Sequence, residues 1–183
     1  MRAAGLVLAA MGAFLAPTLV IGAGVPTLMA GVYKTHFKNG LVDGETYISK
    51  NILEIVPYSP RAAYFRIHLE FYNGHECAIS GIAEATADAL VYHGERDYTG
   101  APCILTLRRG QDGIHISEAE NGACRNQTCG ARGGYGYKTD GAADFPLASR
   151  REIRYLPRLL KSDQYLEAVK AHAHANAPQS AAH

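Results

Sequence analysis

AYFRIHLEFYNGHECAISGIA, residues 63–83, is the stretch that decides the fold of this chain. Its first half alternates with a period of two: Ala63, Phe65, Ile67, Leu69 and Phe71 are separated by Tyr64, Arg66, His68 and Glu70. This period is typical of a strand with one buried face. Asn73-Gly74 then supplies a tight turn, and the alternation resumes from Cys77 to Ala83. The stretch therefore predicts a β-hairpin.

Five further runs have strand character: residues 32–37, 47–56, 89–92, 103–107 and 114–117. They are short, and Gly, Asn, Asp and Pro residues separate them. Many short strands with turn residues between them predict a mainly β domain, either a small antiparallel barrel or a strongly curved sheet.

The C-terminal part has a helical period instead. Ser149 with Glu152 fits a capping box, and apolar residues follow at helical spacing, although Pro157 must kink or shorten that helix. Ser162 can cap a second short helix. Residues 24–170 are thus predicted to form one β-rich domain with short C-terminal helices, and the Ala-rich residues 171–183 a disordered tail.

The N-terminus has the pattern of a cleavable secretory signal. Arg2 precedes an uncharged run, residues 3–21, that is rich in Ala, Leu and Val, and small residues allow a cut after Ala23 or after Ala30. An uncleaved membrane anchor is the alternative. We expect residues 1–23 to be removed and the protein to be periplasmic or secreted.

The charge of the exported part argues against nucleic acid as a partner. The signal contains one of the 18 Lys and Arg residues and none of the 17 Asp and Glu residues, so the remainder has a formal charge near zero. Bulk electrostatic attraction to nucleic acid needs a basic excess that this domain lacks.

Four cysteines in an exported domain predict two disulfides. They are Cys77, Cys103, Cys124 and Cys129. Three pairings are possible, and the short spacing between Cys124 and Cys129 favours a local bridge with Cys77 joined to Cys103.

Residues 124–144 are rich in glycine and predict a displayed loop. A local bridge would hold residues 125–128 as a rigid projection that loses little entropy on binding. The candidate binding residues are Arg125, Asn126, Gln127, Thr128, Arg132, Tyr135 and Tyr137. In the alternative interpretation the bridge only fixes a flexible, glycine-rich connection to the sheet, and the tyrosines pack at the base of the loop.

The sequence C-x4-C-G from Cys124 to Gly130 resembles the protruding loop of the periplasmic inhibitor-of-vertebrate-lysozyme family. In that family the loop enters the active cleft of lysozyme. The family has a His inside the loop, where this chain has Arg125, Asn126, Gln127 and Thr128. The resemblance implies a protein partner of the lysozyme class. An arginine of this chain could pair with a catalytic carboxylate of that partner.

Motifs for catalysis, cofactors and metals are missing from the sequence. It has no G-x-S-x-G, H-E-x-x-H, P-loop or dinucleotide motif, and no Cys/His spacing of a zinc site. Glu118 and Glu120 could face one side of a strand and hydrolyse a glycan, which is the least favoured interpretation. We therefore predict no catalytic residues, no cofactor and no metal.

A basic stripe is the remaining feature: Arg150, Arg154, Arg158 and Lys161 recur at helical intervals. It predicts either a solvated helix face or contact with an anionic polymer or lipid. The sequence favours an exported, non-catalytic protein that neutralises a cell-wall hydrolase. The alternative is an assembly component of the cell envelope that docks a larger complex.

Overall fold

The computed structural model describes residues 24–136 and 141–177. Seven strands follow one another in chain order, and each pairs antiparallel with the next. They are β1 (Gly31–Gly40), β2 (Thr46–Ser59), β3 (Ala62–Glu70), β4 (Glu76–Ala85), β5 (Ala89–Arg96), β6 (Pro102–Arg109) and β7 (Gly113–Glu118). The predicted hairpin is confirmed as β3 and β4, with Asn73 and Gly74 in the left-handed turn conformation at φ 60° and 70°.

A short segment nearly closes the sheet into a barrel. The strand β8 (Phe145–Pro146) pairs with β7, and β9 (Arg150–Arg151) pairs with β1. One 3₁₀ turn, Leu147–Ser149, joins these two strands. The segment therefore bridges the first and last long strands, and the predicted mainly β fold is confirmed as a nearly closed nine-stranded barrel.

Side chains fill the barrel interior. Fully buried residues from six strands share one core: Tyr33, Leu53, Ile55, Phe65, Ile67, Leu90, Leu105, Leu107 and Ile114. The rings of Phe65 and Tyr92 meet edge to face, with centroids 5.1 Å apart. A barrel of about eight strands is just wide enough for its side chains to fill. The interior is therefore a packed hydrophobic core.

Helices cover both ends of the barrel. At one end α1 (Val25–Met29) buries Met29, whose carbonyl accepts a 2.8 Å hydrogen bond from the Tyr33 hydroxyl. At the other end lies α2 (Ala123–Thr128), which buries Ala123 and Cys124. We call α2 the cap helix.

Two further helices, α3 (Leu156–Leu159) and α4 (Asp163–Ala175), pack on the outside of β2, β3 and β4. The predicted cap of the second helix is confirmed, because the Ser162 hydroxyl accepts from the Tyr165 amide at 3.3 Å. Beneath the helices the buried Glu54 carboxylate accepts hydrogen bonds from Arg66 and from the Tyr155 hydroxyl. Burial, reinforced by Glu54, raises the pKa of Tyr155 to about 12.

The predicted capping box at Ser149 is wrong. The Ser149 hydroxyl donates to the Pro146 carbonyl at 2.7 Å, and the next two residues form β9. Pairing with the edge of β1 prevails over local helix propensity here. The helix begins only at Leu156, which places Pro157 in its first turn. Proline is tolerated there because amides in the first turn of a helix have no intrahelical acceptor, so its missing N–H costs no hydrogen bond.

The predicted basic stripe does not lie on one helix. Arg150 belongs to β9, and its guanidinium donates to the Ala30 and Leu28 carbonyls at 2.7 and 3.2 Å. Arg158 lies over the Tyr155 ring, 5.8 Å from its centroid. The start of the predicted tail is also wrong, because α4 continues to Ala175 with His172 against Tyr58.

The favoured disulfide pairing is wrong as well. Cys77 is bonded to Cys129, and Cys103 is bonded to Cys124. Cys124 lies in the first turn of the cap helix and Cys129 directly follows its last turn, so the helical rise of about 1.5 Å per residue carries the two Cα atoms apart, whereas a bridge needs them within roughly 7 Å. Because Cys124 is helical, a bridge to Cys129 would unwind the cap helix. Cys124 is instead bonded to the start of β6, and Cys129 to the start of β4.

The predicted signal, residues 1–23, lies outside the described residues. Among residues 24–136 and 141–177, no helix is long and apolar enough to cross a membrane. The two disulfides are compatible with an oxidising compartment.

Candidate functional site

The cap helix is the element on which most of the candidate binding residues lie. One disulfide joins its first turn to β6, and the other joins the residue after its last turn to β4. The Gly130 amide also donates to the Glu76 carbonyl at 2.8 Å, which extends the contact with β4. The helix is therefore held at both ends, and its exposed face has a fixed orientation on the barrel.

Backbone amides in the first turn of the cap helix donate hydrogen bonds to side chains of the preceding turn and of β7. Asn121 Oδ1 accepts from the Ala123 amide at 3.0 Å, and Glu118 Oε2 accepts from the Arg125 amide at 3.0 Å. These contacts satisfy amides that a helix start leaves without intrahelical partners. Glu118 is the last residue of β7, whereas Glu120 lies in the turn, so the two acids do not share a strand face as the hydrolase interpretation requires.

Asn126 connects the cap helix to the turn between β5 and β6. Its amide donates to Asp97 Oδ2 at 2.8 Å, while Asp97 Oδ1 accepts from Thr99 Oγ1 at 2.6 Å, from the Thr99 amide and from the Ala101 amide. These bonds, led by the one from the Thr99 hydroxyl, hold the pKa of Asp97 down at about 2. The Asp97 carboxylate is therefore charged at neutral pH and organises this end of the barrel.

Gln127 and Thr128 are also used within the molecule. The Gln127 amide donates to the Glu95 and Ala123 carbonyls, each at 3.1 Å. The Thr128 hydroxyl lies 2.6 Å from the Tyr135 hydroxyl. Tyr135 is buried, and burial raises its pKa to about 12, so it packs at the base of the loop and is not an exposed anchor.

Arg125 and Arg132 are the candidate residues whose charged groups remain available. Both side chains are exposed, and within residues 24–136 and 141–177 neither guanidinium forms an ion pair. The Arg132 guanidinium lies over the ring of Tyr72, 5.6 Å from its centroid. The capped end therefore presents two exposed cations without an ion-pair partner among the described residues, one of them on the disulfide-held helix, which suits a carboxylate-bearing partner.

Two grooves are lined by residues outside the cap helix. One, of about 420 Å³, runs along the outer face of β2 to β4 beside Gln164 of α4. The other, of about 440 Å³, lies between the start of β1 and the segment that leads into α3. Over the described ranges, no group of three or more His, Cys, Asp or Glu side chains is arranged to hold a metal ion.

The structure thus places most of the candidate binding residues close together. Some of them form hydrogen bonds within the molecule, and the two arginines remain exposed. Arg125, Asn126, Gln127 and Thr128 lie on the cap helix, and Arg132 lies in the loop behind it, while Tyr137 falls outside the described residues. Sequence reasoning missed Asp97 and Tyr72. The sequence Asp97-Tyr98-Thr99-Gly100 does predict a turn in which the Asp side chain accepts local amides, but its contact with Asn126 spans 29 residues.

Comparisons of this chain with protein-family models, with curated proteins and with solved structures found no match.

Proposed function

We propose that the protein is an exported, non-catalytic binding protein of the bacterial periplasm that neutralises a lysozyme-type cell-wall hydrolase. The observation that carries the proposal is the exposed guanidinium of Arg125, which forms no ion pair with any residue that the structure describes, on a helix held by two disulfides. A group fixed in this way loses little conformational freedom when a partner binds, so more of the contact energy contributes to affinity.

Charge complementarity supports a hydrolase as the partner. Enzymes that cleave glycosidic bonds work with a pair of carboxylates on either side of the scissile bond. The planar fork of arginine can donate two parallel hydrogen bonds to such a carboxylate. Arg125 would contact the cleft directly, and Arg132 with Tyr72 would contact its rim.

The proposed mode of contact differs from the expectation based on the sequence. A loop closed by its own disulfide would enter a cleft as a narrow plug, whereas the cap helix presents a broader ridge. The amides of Asn126 and Gln127 are already engaged with β5 and its turn. Affinity in the proposed complex therefore rests mainly on the two arginines.

The test is inhibition of a panel of lysozyme-type muramidases by the purified protein. We expect Arg125→Ala to raise the inhibitory concentration about tenfold or more, as loss of a central interface arginine does, and Arg132→Ala to raise it less. The matched control is Arg61→Ala, an exposed arginine in the β2–β3 turn at the opposite end of the barrel, which should leave inhibition unchanged.

Absence of inhibition by the wild-type protein across the panel would refute the proposal. A pull-down identifies the partner independently. Recovery of a soluble muramidase supports inhibition, whereas recovery of a membrane complex would replace it with the assembly role.

A further inference from the structure

The outer face of β1 and β2 carries cations that the cap does not use. From Lys34 to Lys38 in β1 and from Ile48 to Lys50 in β2, exposed outward residues alternate with inward residues that are partly or fully buried. The exposed side chains that define this basic face are Lys34, His36, Lys38, Ile48 and Lys50.

The strand register places these side chains next to one another. Lys34 is opposite Ile52, His36 is opposite Lys50, and Lys38 is opposite Ile48. Side chains in directly opposite positions of an antiparallel pair have Cβ atoms about 5 Å apart. Three lysines and one histidine therefore form a continuous surface with an isoleucine among them.

Few acids oppose this charge. The described structure contains no ion pair to Lys34, Lys38 or Lys50. Glu70 is the adjoining acid, and its carboxylate accepts from the backbone amide of Lys50 at 3.2 Å.

The other nearby acids lie outside this surface. Glu54, further along β2, is buried and bonded to Arg66. Glu76 is opposite Glu70 on β4, and Asp43 and Glu45 belong to the turn beyond the strands. The face therefore keeps a net positive charge.

The geometry points to an anionic bilayer surface as the occupant of the basic face. Ile48 is 69% exposed between Lys38 and Lys50. An apolar side chain surrounded by lysines suits the boundary between phosphate headgroups and acyl chains, because the lysine stems can extend to the headgroups while the apolar group enters. A soluble anionic polymer offers no apolar region to Ile48.

Protection of a sheet edge is the other physical role that such lysines can have. Charged residues on an edge strand discourage pairing with a second chain. This role fits Lys34 and Lys38, because β1 pairs with β9 over only Val32 and Tyr33. It does not account for Ile48 or Lys50, which lie on β2 between β1 and β3.

The test is co-sedimentation of the purified protein with vesicles of phosphatidylcholine that contain 30% phosphatidylglycerol, or none. The variant Lys34→Gln/Lys38→Gln/Lys50→Gln is compared with Arg61→Gln/Lys161→Gln/Lys170→Gln, which removes the same charge from exposed positions elsewhere. We expect the first to weaken binding to anionic vesicles roughly 100-fold and the second to weaken it by much less.

Two further measurements keep the result interpretable. Ile48→Ser should weaken the binding that remains at high salt, where electrostatic attraction is screened. Matching thermal unfolding curves show that the variants are folded. Equal loss in the two triple variants, no vesicle binding by the wild type, or binding only to a soluble polyphosphate would overturn the inference.

Discussion

Gly133 shows how tightly single residues are placed around the cap helix. A Cβ atom at this position would lie 2.6 Å from Cys77 Sγ and 3.0 Å from Cys129 Cβ. Real Cβ atoms do not approach their neighbours so closely, and a disulfide cannot swing away as a flexible side chain can. The glycine is therefore required by close approach to the Cys77–Cys129 bridge.

The substitution Gly133→Ala should lower the free energy of unfolding by about 1 to 3 kcal/mol, the usual cost of overpacking. The neighbouring Gly134→Ala is the control, because among the described residues its Cβ would meet only the flexible Arg125 side chain, at 3.5 Å. Urea unfolding of both variants measures the difference. If both variants lost the same free energy of unfolding, the contact with the Cys77–Cys129 bridge would not be the reason for a glycine at position 133.

Asp97 makes part of the stability depend on pH. Its folded pKa of about 2 lies below the ordinary value of 3.8, so the unfolded chain binds the proton more readily. The contribution of Asp97 to stability is therefore fully present above about pH 4 and is lost as the pH falls through 2.

Unfolding measured between pH 2 and pH 6 checks this expectation. Asp97→Asn should remove that part of the pH dependence, and Thr99→Ala should reduce it, because the hydrogen bond from the Thr99 hydroxyl contributes most to lowering the pKa of Asp97. A profile for Asp97→Asn that coincides with the wild-type profile would show that another carboxylate is responsible.

At the scale of elements, the two disulfides attach the cap helix to two strands. The Cys77–Cys129 bridge spans 52 residues, and the Cys103–Cys124 bridge spans 21. A bridge stabilises a protein largely by reducing the entropy of the unfolded chain, and the effect grows slowly with the loop that it closes.

Cys77→Ser/Cys129→Ser should therefore lower the free energy of unfolding by about 4 kcal/mol, and Cys103→Ser/Cys124→Ser by about 3 kcal/mol. The cross-pair variant Cys77→Ser/Cys103→Ser breaks both bridges and should cost more than either. Peptide mapping without reduction checks the pairing itself, and recovery of a Cys124–Cys129 peptide would contradict the structure.

At the scale of the whole molecule, the barrel is stabilised by a filled interior. Phe65→Ala should lower the free energy of unfolding by about 3 to 5 kcal/mol, because a fully buried aromatic ring is lost and a cavity remains. His68→Ala, on the outward side of the same strand, is the control and should cost much less. Urea unfolding measures both, and similar losses would contradict a core inside the barrel.

The strands could be predicted because their signal is local. Alternation such as that from Ala63 to Phe71 is imposed by a sheet with one buried face, whatever the rest of the chain does. The Asn73-Gly74 turn and the Ser162 cap are local too, because their side chains and backbone act within a few residues. These features are confirmed in the structure.

The candidate site could be predicted only in part. The segment from Arg125 to Thr128 lies where a partner can reach it, but its helical form depends on acceptors from Glu118 and Asn121 and on two distant cysteines. Short helices are marginal without tertiary contacts, so residues 123–128 lack a strong helical signal in the sequence. Burial of Tyr135 likewise depends on what covers it.

The sequence by itself determined that this is a mainly β domain with paired cysteines, since hydrophobic period and turn residues act over short distances. Only the tertiary structure decided which cysteines pair, which side chains of the cap helix remain available, and that lysines from two strands meet on one face. Those outcomes depend on distances between residues far apart in the chain, and such distances are set by how the sheet curves and closes.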